Sequence, residues 1–136
     1  WTSVPAILKD WIDRVFVSGI FYGGKRFYNH GGMQGKKAML CLTLGGREHM
    51  FADQNAIHGL LEDYLKPLHQ GTLAYAGFDV IAPFIAYHIP YLKDEDRQKI
   101  LEQYQHYIEN IAQQPRLKFP QLEQFDAQLY PLPPHA

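Results

Sequence analysis

Apolar residues at Ile7, Leu8, Trp11, Ile12, Val15 and Phe16 recur in steps of three and four, while Lys9, Asp10, Asp13 and Arg14 take the opposite side. That spacing predicts an amphipathic helix whose apolar stripe, Trp11 included, faces a core or a sheet. Ser3 suits the N-cap and Pro5 the first turn, where a missing N–H leaves no intrahelical bond unmade, so the helix is expected to begin near Ser3. Residues 18–35 then hold six glycines (Gly19, Gly23, Gly24, Gly31, Gly32 and Gly35) mixed with Tyr22, Phe27, Tyr28 and His30. This is too many flexible positions for regular structure, and the aromatics point to a binding loop.

The run Ala38-Met39-Leu40-Cys41-Leu42-Thr43 is continuously apolar and bounded by glycines, as expected of a strand buried on both faces of a parallel sheet. Cys41 is accordingly expected as a small buried hydrophobe. The strand runs into Thr43-Leu44-Gly45-Gly46, at the carboxyl end where open parallel sheets bind their ligands. From Ala56 to about Ala76 the apolar spacing is helical, with Pro67 and Gly71 marking a kink or break and Gly77 a cap. Residues 78–87 read as the last strand, with Pro83 placing it at an edge or giving it a bulge. Residues 94–111 repeat apolar positions at Ile100, Leu101, Tyr104, Ile108 and Ile111, a final amphipathic helix. Residues 113–136 turn proline-rich and are expected as an extended tail or arm, apart from a domain at 1–112.

The order helix, strand, helix, strand, helix implies a parallel sheet, because parallel strands need a crossover between them. A composition of 46% hydrophobic and 14% aromatic residues suits a packed globular chain. A net charge of −1 leaves no broad basic surface for nucleic acid. No apolar stretch approaches the roughly 20 residues that cross a bilayer, so membrane insertion is not expected. The single cysteine, Cys41, cannot form an internal disulfide, which fits a reducing cytoplasm. His30, His49, His69, His88, His106 and His135 show no paired ligand spacing, and no metal is expected.

Four segments in order carry a family resemblance. Trp1 to Phe16, reading Trp-x-x-x-Pro-Ala-x-Leu-Lys-x-Trp-x-Asp-Arg-Val-Phe, is similar to a segment of the flavodoxin-like NAD(P)H:quinone oxidoreductases. Phe21-Tyr22, Thr43-Leu44-Gly45-Gly46 and Ile57-His58-Gly59 resemble further landmarks of that family. The resemblance implies an α/β, flavodoxin-like three-layer sandwich with a parallel sheet, of which these 136 residues are expected to hold the second half. It implies ping-pong hydride transfer from NAD(P)H to a flavin, FAD with FMN as the alternative, and then to a quinone.

By the same resemblance, Trp1 and Thr2 border the flavin. Thr43, Leu44, Gly45 and Gly46 address its pyrimidine edge, Leu44 standing where the family has a second Thr. Phe51 holds the cofactor-side position at which the long-chain enzymes carry a tyrosine partner for His58, and Arg97 matches an arginine that touches the dinucleotide. His58 and Tyr22 carry the catalytic roles, His58 balancing charge through its imidazole. Phe21, Tyr22 and His58 meet the substrate, with the aromatics arriving from a neighbouring subunit, which implies a homodimer. Two other readings remain open: a regulatory flavoprotein subunit of a potassium-efflux system, and a fragment that binds no flavin.

Overall fold

The computed structural model describes residues 3–133; the readings on Trp1 and Thr2 fall outside them. In chain order the regular elements are α1 (Ala6–Val15), β1 (Lys37–Thr43), α2 (Leu61–Leu68), β2 (Asp79–Ala86) and α3 (Asp94–Glu109). The chain divides into two compact units. One comprises Trp1–Ala38, Lys66–Val80 and Lys118–Ala136, the other Met39–Leu65 and Ile81–Leu117.

In the first unit, α1 starts later than its sequence suggested. Pro5 is the N-cap, in extended conformation, and its carbonyl accepts from the Leu8 N–H at 2.9 Å and the Lys9 N–H at 3.1 Å. A proline pushes the residue before it out of the helical region, so the helix cannot begin before Pro5 and Ser3 is too far upstream to cap it. Only part of the apolar stripe packs. Phe16 stacks on Phe21 with centroids 4.4 Å apart, and Phe78 lies 6.2 Å away. Ile7 is 82% exposed and Trp11 51%, which overturns the core assignment of Trp11. No surface among the described residues covers that half of the stripe.

The glycine-rich segment is irregular but closely packed. Tyr75 is its hub, stacking on Phe27 at 5.3 Å and meeting Tyr22 and Tyr28 at 5.7 Å each. Tyr28 and Met33 donate N–H bonds to the Tyr75 and Ala76 carbonyls at 3.0 and 2.9 Å. Here a glycine is obligatory: a Cβ on Gly31 would stand 2.4 Å from the Ala76 carbonyl carbon. Tyr75 sits where it does because α2 passes, through Pro67, into a π-helical turn at His69–Ala74, where Tyr75 and Phe78 donate to carbonyls five residues back. Gly77, at φ +98°, ends that turn as expected.

The proline-rich segment is pinned. Residues Leu122–Gln124 form a short 3-10 turn whose Leu122 N–H donates to Asn29 Oδ1 at 2.9 Å. The Glu123 carboxylate accepts from Asn29 Nδ2 at 2.7 Å and meets His30 Nε2 at 2.8 Å.

The two strands pair in parallel. Asp79 N–H donates to the Lys36 carbonyl and Leu44 N–H to the Ala86 carbonyl, so Asp79 lies opposite Lys37 and Ala86 opposite Thr43. β1 has seven residues and β2 eight, so β2 carries one more residue than its partner over the same span. That is the bulge Pro83 calls for: it skips the position whose N–H the ladder would need. On its other edge β2 is not bare, since Ala82 donates to the Pro115 carbonyl at 2.9 Å and Ile81 bridges to Arg116.

In this second unit Ile81, Ala86, Leu61 and Leu65 are buried. Tyr104 and Tyr107 of α3 pack on Phe84 at 5.1 and 5.5 Å, and the Tyr107 hydroxyl donates to the Ala82 carbonyl at 2.7 Å. The packed face of α3 therefore runs through Tyr107, which the apolar pattern omitted, and leaves Leu101 60% exposed. Cys41 is exposed as well, against the sequence expectation: it shares a face of β1 with Lys37 and Thr43, which are also exposed, so that part of the face is uncovered among the described residues.

The Glu123 carboxyl is held below the usual carboxylate range, first by its own backbone N–H and then by His30 and Asn29. A depressed carboxyl adds stability above its unfolded-state pKa and loses it as pH falls through the folded value. Glu123→Gln is therefore expected to flatten the loss of stability below about pH 4.5, read as urea midpoints across that range. An unchanged acid limb would separate Glu123 from the pinning of this segment.

Candidate active site

The sheet delivers Thr43-Leu44-Gly45-Gly46 to the carboxyl end of β1, and backbone bonds from the β2 side then hold it. Leu44 N–H donates to the Ala86 carbonyl at 2.8 Å, Ile89 N–H to the Leu44 carbonyl at 3.1 Å, and His88 N–H to the Gly46 carbonyl at 2.9 Å. The His88 ring adds a contact, Nδ1 to the Gly45 carbonyl at 3.2 Å. Among the described residues neither the Gly45 nor the Gly46 N–H has an acceptor. Two donors are thus left available where parallel strands present ligands.

The two glycines are there for different reasons. A Cβ at Gly45 would meet nothing within 4 Å, so packing does not demand glycine there. A Cβ at Gly46 would stand 2.6 Å from the Phe51 ring. Phe51 comes from a short 3-10 helix, Glu48–Phe51, and its ring lies 4.9 Å from His58 and 6.4 Å from both Tyr64 and Tyr87. His58 is exposed; its N–H donates to the Met50 carbonyl at 3.0 Å, and its own carbonyl accepts from the Tyr64 hydroxyl at 2.5 Å. Gly59, at φ +74°, turns the chain immediately after it. Burial, with Glu48 adding to it, pushes the Tyr87 hydroxyl above its ordinary value, so that group stays protonated at neutral pH.

Arg97 stands in the first turns of α3. Its Nε donates to the Ile89 carbonyl at 3.3 Å and a terminal nitrogen to Asp94 at 3.1 Å. Because Ile89 is itself bonded to Leu44, Arg97 joins the cluster around the glycine loop.

Seven of the sequence-derived positions, Thr43, Leu44, Gly45, Gly46, Phe51, His58 and Arg97, thus belong to the second unit. Phe21 and Tyr22 belong to the first, half-buried against Phe16 and Tyr75 respectively. His88 is the participant that sequence reasoning passed over. Lacking metal-ligand spacing, it offered no signal, and only its left-handed backbone and its contact with Gly45 reveal it.

The family model described as flavodoxin-like fold matches residues 1–111. The chain belongs to the flavodoxin-like family. Within it, NAD(P)H dehydrogenase [quinone] 1 of Cavia porcellus is 39% identical over 126 residues, covering 93% of this chain and 46% of that protein. The chain thus spans about half the length of the curated relatives it matches. Among solved structures, a Klebsiella pneumoniae protein assigned as a quinone reductase superimposes with a TM-score of 0.79 at 27% identity, covering 96% of this chain and 54% of that one. General stress protein 14 of Treponema denticola, solved in complex with FMN, gives 0.62 at 25% identity, covering 79% and 57%. The parallel pairing of β1 and β2 found here accords with the flavodoxin-like fold of the matched family model.

Gly46→Ala is expected to displace the Phe51 ring and lower stability by about 1–3 kcal/mol, the usual cost of overpacking. Chemical denaturation checks this, and an unchanged midpoint would mean that Phe51 does not rest on Gly46.

Proposed function

We propose that the protein is a cytoplasmic, flavin-dependent NAD(P)H:quinone oxidoreductase whose flavin-edge site is the Gly45–Gly46 loop. The observation that carries this reading is the pair of uncommitted N–H groups at the carboxyl end of parallel strands, beside a glycine whose Cβ space is open. Those features fit a flat, electron-poor ring with hydrogen-bond acceptors on its edge. The quinone-reductase names of the relatives support the substrate class. FAD is the cofactor we favour, through Arg97, although one neighbour was solved with FMN.

Bound at this loop, a flavin would supply a two-electron carrier that NAD(P)H reduces and a quinone reoxidises in alternating, ping-pong half-reactions. The chain's own residues do the rest. The Gly45 and Gly46 amides donate toward negative charge as it develops, without reorganising. His58, exposed beside the site, holds or releases a proton at its imidazole to balance that charge. Phe51 cannot hand it one, since it has no hydroxyl, so the imidazole exchanges with water. Phe21 and Tyr22 close over the acceptor, and we propose that they do so across a homodimer interface.

Two variants test the reading. Gly45→Val should fold, because its side chain has room, yet lose flavin, because a branched side chain blocks the ring's approach. Full flavin occupancy in that variant, read by absorbance, would overturn the site. His58→Ala should keep its flavin and slow single-turnover reduction or quinone reoxidation by about a hundredfold, the lower end of acid–base contributions. Unchanged single-turnover rates would remove His58 from the chemistry.

A further inference from the structure

His88 occupies an uncommon position. Its backbone is left-handed, at φ +60° and ψ +20°, between the end of β2 and a short 3-10 turn at Ile89–Tyr91. Such a conformation is rare outside glycine, though histidine is among the residues that tolerate it. It aims both hydrogen-bonding groups of one residue at the same loop: the main-chain N–H meets the Gly46 carbonyl at 2.9 Å, and ring Nδ1 meets the Gly45 carbonyl at 3.2 Å. A carbonyl can only accept, so Nδ1 carries the proton. The ring is braced from the side by Tyr91, 4.9 Å away between centroids.

The peptide bonds held this way are trans, so each N–H points opposite to the carbonyl of its own plane. Turning the Gly46 carbonyl toward His88 sends the Arg47 N–H the other way, where Met50 Sδ receives it at 3.3 Å. Turning the Gly45 carbonyl toward the imidazole likewise sends the Gly46 N–H away from His88, and that donor has no acceptor among the described residues. Two consecutive glycines would otherwise let this peptide plane rotate freely.

We infer that His88 is the positioning residue of the site: its Nδ1–H locks the Gly45–Gly46 peptide so that the Gly46 N–H is presented to the flavin edge. The inference rests on the flavin reading above. His88 touches neither cofactor nor substrate in this scheme, and acts through the peptide it holds.

His88→Gly isolates the effect, because glycine adopts φ +60° without strain and keeps the main-chain bond to Gly46, removing only the ring. His88→Asn is the matching rescue, since asparagine also tolerates this backbone and its amide nitrogen falls near the place of Nδ1. With the full chain and with FAD or FMN as the titrant, His88→Gly is expected to weaken flavin binding about three- to tenfold, the worth of one hydrogen bond. It should also make the flavin potential more negative, because the oriented donor favours the reduced, electron-rich ring. His88→Asn should return both to within about twofold of the parent, on the same hydrogen-bond scale. Unchanged affinity and potential in His88→Gly would overturn the proposal. If the parent takes up neither flavin, it is the flavin reading that fails. The Gly46 amide signal in the nuclear magnetic resonance spectrum of the flavin-free protein then decides the positioning role. A sharp signal that broadens in His88→Gly and sharpens again in His88→Asn supports it, and an indifferent one overturns it.

Discussion

Everything at the candidate site depends on one short stretch of backbone pairing, where β1 runs out beside the end of β2. Leu44 is held through both its N–H and its carbonyl, by Ala86 and Ile89, and the next two carbonyls are held by His88. Each such bond is worth only about 1 kcal/mol net, but together they convert a glycine pair, intrinsically the most mobile sequence available, into a loop with one orientation. Carbonyls that face β2 leave amides that face away from it. The Gly45 donor therefore follows from main-chain bonds beside the paired strands, and the Gly46 donor from the His88 ring that holds the Gly45 carbonyl.

The bulge at Pro83 belongs to the same logic. With one residue more in β2 than in β1, the strand passes over the position where a proline would break the ladder, and the ladder resumes in time for Ala86 to meet Leu44. Without that extra residue, every side chain beyond Pro83 would change face. Phe84 would then no longer point toward Tyr104 and Tyr107, and the packing of α3 would be lost together with the register of the loop.

Burial follows a different rule, since it needs an opposing surface as well as an apolar stripe. Half of the α1 stripe packs through Phe16, while Ile7 and Trp11 remain in solvent, and in α3 Leu101 does the same. The chain spans about half the length of the relatives it matches.

Periodicity and turn chemistry by themselves determined the order and type of the five regular elements, an irregularity in the second helix between Pro67 and Gly71, a special place for Pro83 in the last strand and the glycine loop at the end of the first strand. These are local matters, set by 3.6- and 2-residue repeats and by backbone freedom at glycine and proline. The resemblance carried by a few short segments singled out His58 and Phe51, whose ring centroids lie 4.9 Å apart in the fold. Tertiary structure alone decided which apolar residues are buried, that Tyr107 rather than Leu101 faces the sheet, and that the proline-rich segment is pinned at Asn29 and His30. It alone revealed His88, whose importance lies in a contact with Gly45, 43 residues away in the chain. No local pattern encodes such a contact, because it exists only once two strands have paired in one register.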